Sequence, residues 1–394
     1  MYRPRKVYGA KPPFFRRLIK GIEKFNKLLS LRLLGKFLGV RQLDRKLSLD
    51  EIRSVLFIRY DALGDMVVTT PLWRILKSLK PSIKIGVAGS YKNLGVLQAD
   101  TDVDVIYDYS ATSLGDVLAK AKVARTDGWD LVVMCKFNQK TRGGIISRRS
   151  TANGFNVTVG TPNAEGHQAL FSKLVGLPRS QHEMPMTEQL QCLLRGVIDL
   201  PDAQPVRPTL MIEPSAYQEA LERINSSLSE KGKNKYILIN VDAPEVRKWG
   251  LQKNLELAKV VESEYPDYVI FMISLPENED AIKDAIIGSS LKNSKYFNTE
   301  NFQYLLTLIR QAKLVVTPDT GIAHIASAES IPILGFYPEA NEWLPYEIPY
   351  YIILPFKGEP IATIPLEVAA KGIRFCLDKL QTTTELGTTL IYLS

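Results

Sequence analysis

Short, mainly apolar runs alternate with helical stretches along most of the chain, and this alternation constrains the fold more than any other feature. Val55–Ile58, Ile83–Ala88, Val103–Tyr107 and Leu131–Cys135 are each too short for a helix, and Asp127-Gly128-Trp129-Asp130 introduces the last of them. Such runs read as strands buried on both faces of a parallel sheet. Between the first two, Met66–Leu79 reads as one helix with Pro71 within its first turns. From Leu200 to Pro208 the chain is proline-rich and forms the expected interdomain linker. The same grammar then restarts. Tyr236–Val241, Tyr268–Ile273, Leu314–Thr317 and Ile331–Phe336 read as strands, and Asn254–Glu264, Phe302–Gln311 and Gly321–Ala328 as helices. The expected fold is α/β, with two Rossmann-like doubly wound halves, residues 51–205 and 206–394. The carboxyl ends of their strands should face a common cleft. The last helix of the second half is a candidate to cross back.

With 394 residues, 45% of them apolar, the chain can bury sizeable cores; disorder, collagen-like repeats and coiled coil are excluded. Cys135, Cys192 and Cys376 are far apart and lack CxxC spacing, which fits a reducing compartment and neither a disulfide scaffold nor a zinc site. Three histidines argue against a His-rich metal centre. The net charge of +8 is concentrated: residues 1–50 hold 14 Lys/Arg and 3 Asp/Glu, leaving 36 basic and 39 acidic side chains elsewhere. A nearly neutral body with a basic attachment argues against a nucleic-acid-binding surface.

Residues 1–50 read as a basic amphipathic helical extension. Phe15, Leu18, Ile22, Phe25, Leu29, Leu33 and Phe37 recur in steps of three and four, while Arg16, Arg17, Lys20, Lys24, Lys27 and Lys36 lie largely off that stripe. No apolar run approaches the roughly 20 residues of a membrane span, and the recurring charges are wrong for a signal peptide. Residues 14–40 suit an anionic membrane surface. A helix packed on its own protein body would show the same amphipathicity.

Chemistry is expected at the strand ends. Asp61-Ala62-Leu63-Gly64-Asp65 follows the first strand; Gly64 permits a tight turn, and Asp65 sits near a helix start. A carboxylate there can act as general base on a hydroxyl, or simply cap the helix, which local sequence alone favours. Asp319-Thr320-Gly321 opens a helix of small residues, an anion site suited to phosphate, with His324 one turn on. A capping Asp and a core histidine are the alternative. Arg247 and Lys248 follow the Tyr236–Val241 strand and suit a diphosphate, or form a solvated charge pair. Glu277 and Glu279 can accept from ribose hydroxyls or begin the next helix. Asp102 and Asp104 have DxD spacing but no further ligands nearby, so a metal site is not favoured. The chain has no GxGxxG and no GxSxG, so neither a nicotinamide site nor a hydrolase elbow is supported.

As an ordered set, these motifs resemble glycosyltransferase family 9, the bacterial heptosyltransferases of lipopolysaccharide core assembly. They are Ile58-Arg59-Tyr60-Asp61-Ala62-Leu63-Gly64-Asp65, then Thr69-Thr70-Pro71-Leu72, Trp129-Asp130-Leu131-Val132-Val133, Arg247-Lys248-Trp249 and Pro318-Asp319-Thr320-Gly321 with His324. The resemblance runs from about Val55 to Lys379. It implies a GT-B fold and an inverting, metal-independent transfer of heptose or a related sugar, with no cofactor. The co-substrate would be a nucleotide sugar such as ADP-heptose and the acceptor a lipid-linked saccharide. By motif position Asp65 is implied as the base, and Arg247, Lys248, Asp319, Thr320, Gly321 and His324, with Glu277 or Glu279 for ribose, as donor residues. Arg247 stands where the family usually has lysine. Acceptor residues are expected in the first half, with Lys136, Asn138, Gln139 and Arg142 as candidates or as a solvated loop. The implied location is cytoplasmic, peripheral on the inner face of the membrane. Rival readings are a GT-B transferase of another sugar for capsule or O-antigen, and a non-catalytic membrane-docked scaffold of the same fold.

Overall fold

The computed structural model describes residues 26–393 except 111–112, 139, 161–165, 203, 232–234, 300 and 383–386. Helix α1 spans 26–37. β1 (Leu47–Ser48) leads into the first lobe, whose successive elements are β2 (Ser54–Ile58), α2 (Leu63–Val67), α3 (Pro71–Leu79), β3 (Lys84–Gly89), β4 (Val105–Asp108) and α4 (Leu114–Arg125). β5 (Leu131–Met134), α5 (Lys140–Arg149), β6 (Phe155–Val159), β7 (Lys173–Val175), α6 (Met186–Val197) and β8 (Ile198–Asp199) complete it. All neighbours in the six-stranded sheet β4-β3-β2-β5-β6-β7 are parallel.

The second lobe begins with α7 (Pro214–Ser229), β9 (Lys235–Asn240), α8 (Leu251–Glu264), β10 (Tyr268–Ile273), α9 (Glu279–Gly288) and β11 (Ser294–Tyr296). It continues with α10 (Phe302–Gln311), β12 (Leu314–Pro318), α11 (Gly321–Ala328), β13 (Ile333–Phe336), β14 (Tyr350–Leu354), α12 (Leu366–Gln381) and β15 (Thr388–Tyr392). Its seven-stranded sheet, β11-β10-β9-β12-β13-β14-β15, is likewise all parallel. β2, β5, β10, β12 and β13 are buried along their whole length, which is why they are continuous apolar runs and not alternating ones. The α/β expectation of two Rossmann-like lobes is met. In each, the strand order reverses next to the lobe's first main strand, and a ligand crevice opens outside the carboxyl ends there.

Three expectations need correction. Met66–Leu79 is two helices, because Pro71 occupies the first position of a new one, where its missing N–H costs nothing. The third strand begins at Val105, two residues after the expected start. Asp102 and Asp104 therefore lie before it, and pair with Arg74 at 2.6 Å and Lys77 at 2.9 Å. The final helix does not cross back: α12 packs on α8, β13 and β14, and the chain then adds β15 to the edge of the second sheet.

Between β8 and α7 the linker is pinned to both lobes. Thr209 N–H donates to Thr70 Oγ1 at 3.2 Å, and Arg207 donates to the Ser327 carbonyl at 2.9 Å. One apolar cluster runs through both, from Val55 and Phe57 of the first sheet through Leu210 to Leu238 and Phe271 of the second.

Candidate functional site

The two lobes meet most closely where α2 and α11 begin. A Cβ on Gly64 would stand 2.5 Å from His324 Cδ2 and 3.0 Å from Gly321 Cα, and one on Gly321 would stand 3.0 Å from Gly64 N. Only hydrogen side chains at both positions let the helix starts touch, so the loops after β2 and β12 share one space.

That space is a cavity of ≈ 940 Å³, large enough for a nucleotide sugar. Asp65 and Gly64 line it from the first lobe; Arg247, Lys248, Glu277, Asp319, Thr320, Gly321 and His324 line it from the second. A neighbouring cavity of ≈ 1140 Å³ opens on the first lobe and holds Arg59, Asp61, Asp65, Lys136, Asn138 and Arg142. Asp65 borders both. Gln139 lies outside the described residues. Glu279 borders neither cavity: at the start of α9 it pairs with Lys283 at 2.5 Å and accepts from Asn298 at 2.7 Å. Of the two acids proposed for ribose, only Glu277 reaches the cavity.

Asp65 is both a partial cap and a charged site residue. Its Oδ2 accepts from the Ala62 N–H at 3.1 Å, while Oδ1 pairs with Arg59. The Arg59 side chain is 2% exposed. Its Nε lies 3.0 Å from Asp61, and Nη1 donates to the Cys135 carbonyl. Burial lowers the Arg59 pKa, but the Asp65 and Asp61 carboxylates outweigh it, and the net shift is upward. Burial raises the pKa of Asp61 against the opposing pull of Arg59, with Asp65 adding to the rise; Lys136 stands 3.9 Å away. The arrangement is one buried cation shared by two carboxylates at the edge of both cavities.

In the second lobe Trp249 stacks on Phe336 with centroids 4.3 Å apart and donates to the Ile364 carbonyl at 3.0 Å. This anchor fixes the loop after β9 and leaves Arg247 and Lys248 beside the cavity. Arg247 donates to Asp319 at 3.0 Å, and Lys248 lies 3.6 Å from Asp242. Asp319 is therefore an ion-pair partner and not the N-cap of α11. Thr320 holds the cap position, yet its hydroxyl is engaged by Asn240 and Thr317, and no side chain caps the helix. The start of α11 is left without a side-chain cap, and its positive end suits an anion. His324 is buried and its pKa is lowered, mainly by that burial, against the raising effect of Asp319 and Asp65. Among the described residues no group of three or more His, Cys, Asp or Glu could hold a metal ion.

Sequence reasoning gave Arg59 no role, although a basic residue directly after an apolar strand is itself a signal. It missed Trp343, His182 and Glu342 altogether, since these reach the first-lobe cavity only through tertiary structure.

The family model of glycosyltransferase family 9 (heptosyltransferase) matches residues 151–348, half of the chain. A Haemophilus influenzae protein provisionally named a glycosyltransferase is 24% identical, over 75% of this chain and 85% of its own length. The lipopolysaccharide core heptosyltransferase OpsX of the same organism is 23% identical over 81% of this chain and 91% of its own. In fold, the chain is similar to the E. coli ADP-heptose lps heptosyltransferase II, with a TM-score of 0.65 and 18% identity, covering 83% of this chain and 99% of that one. The parallel two-lobed architecture, the cavity between the lobes and the family match lead to one conclusion: the chain belongs to glycosyltransferase family 9, the heptosyltransferase family, and is a glycosyltransferase.

Proposed function

We propose that the chain transfers a heptose, or a closely related sugar, from an ADP-sugar to a lipid-linked saccharide of the lipopolysaccharide core, with inversion and without a metal ion. The observation that carries this reading is the position of Asp65, at the border of a first-lobe cavity and of the cavity that holds Arg247, Lys248, Thr320 and Gly321. A solved relative, the E. coli heptosyltransferase WaaC, is described with ADP and with an ADP-2-deoxy-2-fluoro heptose, which supports the choice of donor.

In this mechanism the acceptor hydroxyl enters from the first-lobe cavity and gives its proton to Asp65 as its oxygen attacks the anomeric carbon. The bond to the diphosphate breaks, and the sugar passes through an oxocarbenium-like state. Negative charge gathers on the leaving diphosphate, where Arg247, Lys248 and the uncapped start of α11 stabilise it. Arg59 holds Asp65 in place and keeps a positive charge beside it. His324, neutral through burial, offers a hydrogen bond to the sugar and not a charge. Lys136, Asn138 and Arg142 give the first-lobe cavity cationic and polar walls, suited to an anionic acceptor.

The enzyme meets that acceptor at the cytoplasmic face of the inner membrane, where the basic extension docks on anionic lipid. In α1, Leu29, Leu33 and Phe37 are 47%, 59% and 79% exposed, and the described helices include none long and apolar enough to cross a membrane.

Replacing Asp65 with Ala tests the reaction. Transfer from ADP-heptose to a core-truncated lipopolysaccharide should fall roughly 10²–10⁴-fold, while calorimetry finds ADP binding within about twofold of wild type. Near-wild-type turnover would take the base role away from Asp65.

A further inference from the structure

Trp343 reaches the junction from the second lobe, in the segment between β13 and β14. It and Asp65 are the two residues that line both cavities, and with Glu342 it is all that the second lobe contributes to the first-lobe cavity. The segment is tied across the lobes. The Glu342 carbonyl accepts from Met186 N–H at 2.9 Å, and its carboxylate lies 3.1 Å from His182 Nδ1. The indole stands edge-on to His324 at 5.7 Å, and the Arg59 guanidinium lies 5.9 Å from its centroid. Its N–H has no partner among the described residues.

Phe137, Leu177 and Met186 line part of the first-lobe cavity, but its charged and polar walls are formed by Asp65 with Arg59, Asp61, Lys136 and Arg142. Such walls bind hydroxyls and anions but give nothing to the C–H face of a sugar ring. An indole does, because its electron-rich face attracts weakly positive C–H groups and excludes water beneath them. Arg59 and His324 hold the ring in place, and its remaining surface borders the position where a hydroxyl must approach Asp65.

We propose that Trp343 is the platform on which the reacting acceptor sugar stacks, so that the donor lobe supplies part of the acceptor site. The inference rests on the reading of the first-lobe cavity as the acceptor site. It makes acceptor recognition depend on the two lobes being together, since the platform is carried across by the segment tied to Met186 and His182.

The other three tryptophans, Trp73, Trp129 and Trp249, are buried, so emission quenched by acrylamide reports Trp343. The soluble saccharide of a deacylated core-truncated lipopolysaccharide should protect this emission well beyond any protection that ADP alone gives from the donor cavity, which Trp343 also borders. In transfer assays Trp343→Ala should raise the acceptor KM about tenfold or more. Trp343→Phe should restore most of it, and ADP affinity should stay within about twofold in both. Equal protection by ADP alone, no protection by the saccharide, an unchanged acceptor KM in Trp343→Ala or an Ala variant that loses ADP affinity would each overturn the proposal. Should the Ala variant fail to fold, the quenching experiment on the wild-type enzyme still decides. A wild-type enzyme without transfer activity would count against the function proposed above, while protection of Trp343 would still report the platform.

Discussion

The three histidines of this chain all border one or other of the two cavities, and His324 is buried with its pKa displaced downward. Asp319, Asp65, Arg59 and Arg247 are the charged groups acting on it, and burial outweighs the two carboxylates. A base whose folded pKa is depressed binds its proton less readily than the unfolded chain does, so acid favours unfolding. Stability from this source is complete above the unfolded value of about 6.5 and is lost as pH falls below it. Melting temperature measured from about pH 7.5 to 5.5 should therefore fall less steeply in His324→Asn than in wild type. Parallel curves would mean that protonation of His324 does not limit acid stability. At this scale the sequence was informative where chemistry and position coincide. Asp65, Arg247, Asp319 and Thr320 follow apolar runs within a few residues, and the chain after such a run must emerge at the carboxyl end of a parallel sheet. It was uninformative where the partner is distant: nothing in the neighbourhood of Asp319 foretells its ion pair with Arg247 in place of a helix cap.

Among the elements, α1 shows how an amphipathic pattern can serve two surfaces at once. Leu31 is buried, with Leu34 and Leu38 packed on the same cluster. A Cβ on Gly35 would fall 2.0 Å from the Ala169 carbonyl oxygen, so the helix is seated on the turn that carries His167. The stripe read from the sequence, of which Leu29, Leu33 and Phe37 are described, points outward, among exposed Lys27, Arg32 and Lys36. Phe15, Leu18, Ile22 and Phe25 lie outside the described residues. Sequence periodicity found a real face but could not reveal that a second apolar face, rotated from it, does the packing. If the outward face meets lipid, each of its large side chains contributes about 1.5–3 kcal/mol on full burial. The triple variant Leu29→Ser/Leu33→Ser/Phe37→Ser should then lose at least about tenfold in sedimentation with phosphatidylglycerol vesicles while keeping its melting temperature. Unchanged sedimentation would reject lipid as the partner of this face. Elsewhere, the eight strands read from the sequence fall within two residues of observed ones, because burial on both faces demands unbroken apolar runs, but β6, β7, β11, β14 and β15 were not read. The split at Pro71 was not legible, since a proline in a first helical turn continues or restarts a helix by the same local chemistry.

For the molecule as a whole, one apolar cluster is shared by both lobes, with Leu210 of the linker among its members. Enzymes with two lobes often melt in two steps, but here a single calorimetric endotherm is expected. Saturating ADP, the nucleotide of the proposed donor, should move that whole endotherm upward, by about 2.7 kcal/mol of stability at a hundred times Kd. Two resolved transitions, only one of them moved by ADP, would show the lobes to be energetically separate. The meeting of Gly64 with Gly321 governs how these lobes can move. Because a Cβ on either glycine would meet the other lobe at 3.0 Å or less, the halves have no slack to close further at that point, and a change in the angle between them would turn about it, like a jaw about its joint. In such a swing the outer rims would part most, while Asp65 and Thr320, next to the joint, would travel least. A methyl group on either glycine would shift the joint itself, and every open and closed posture with it.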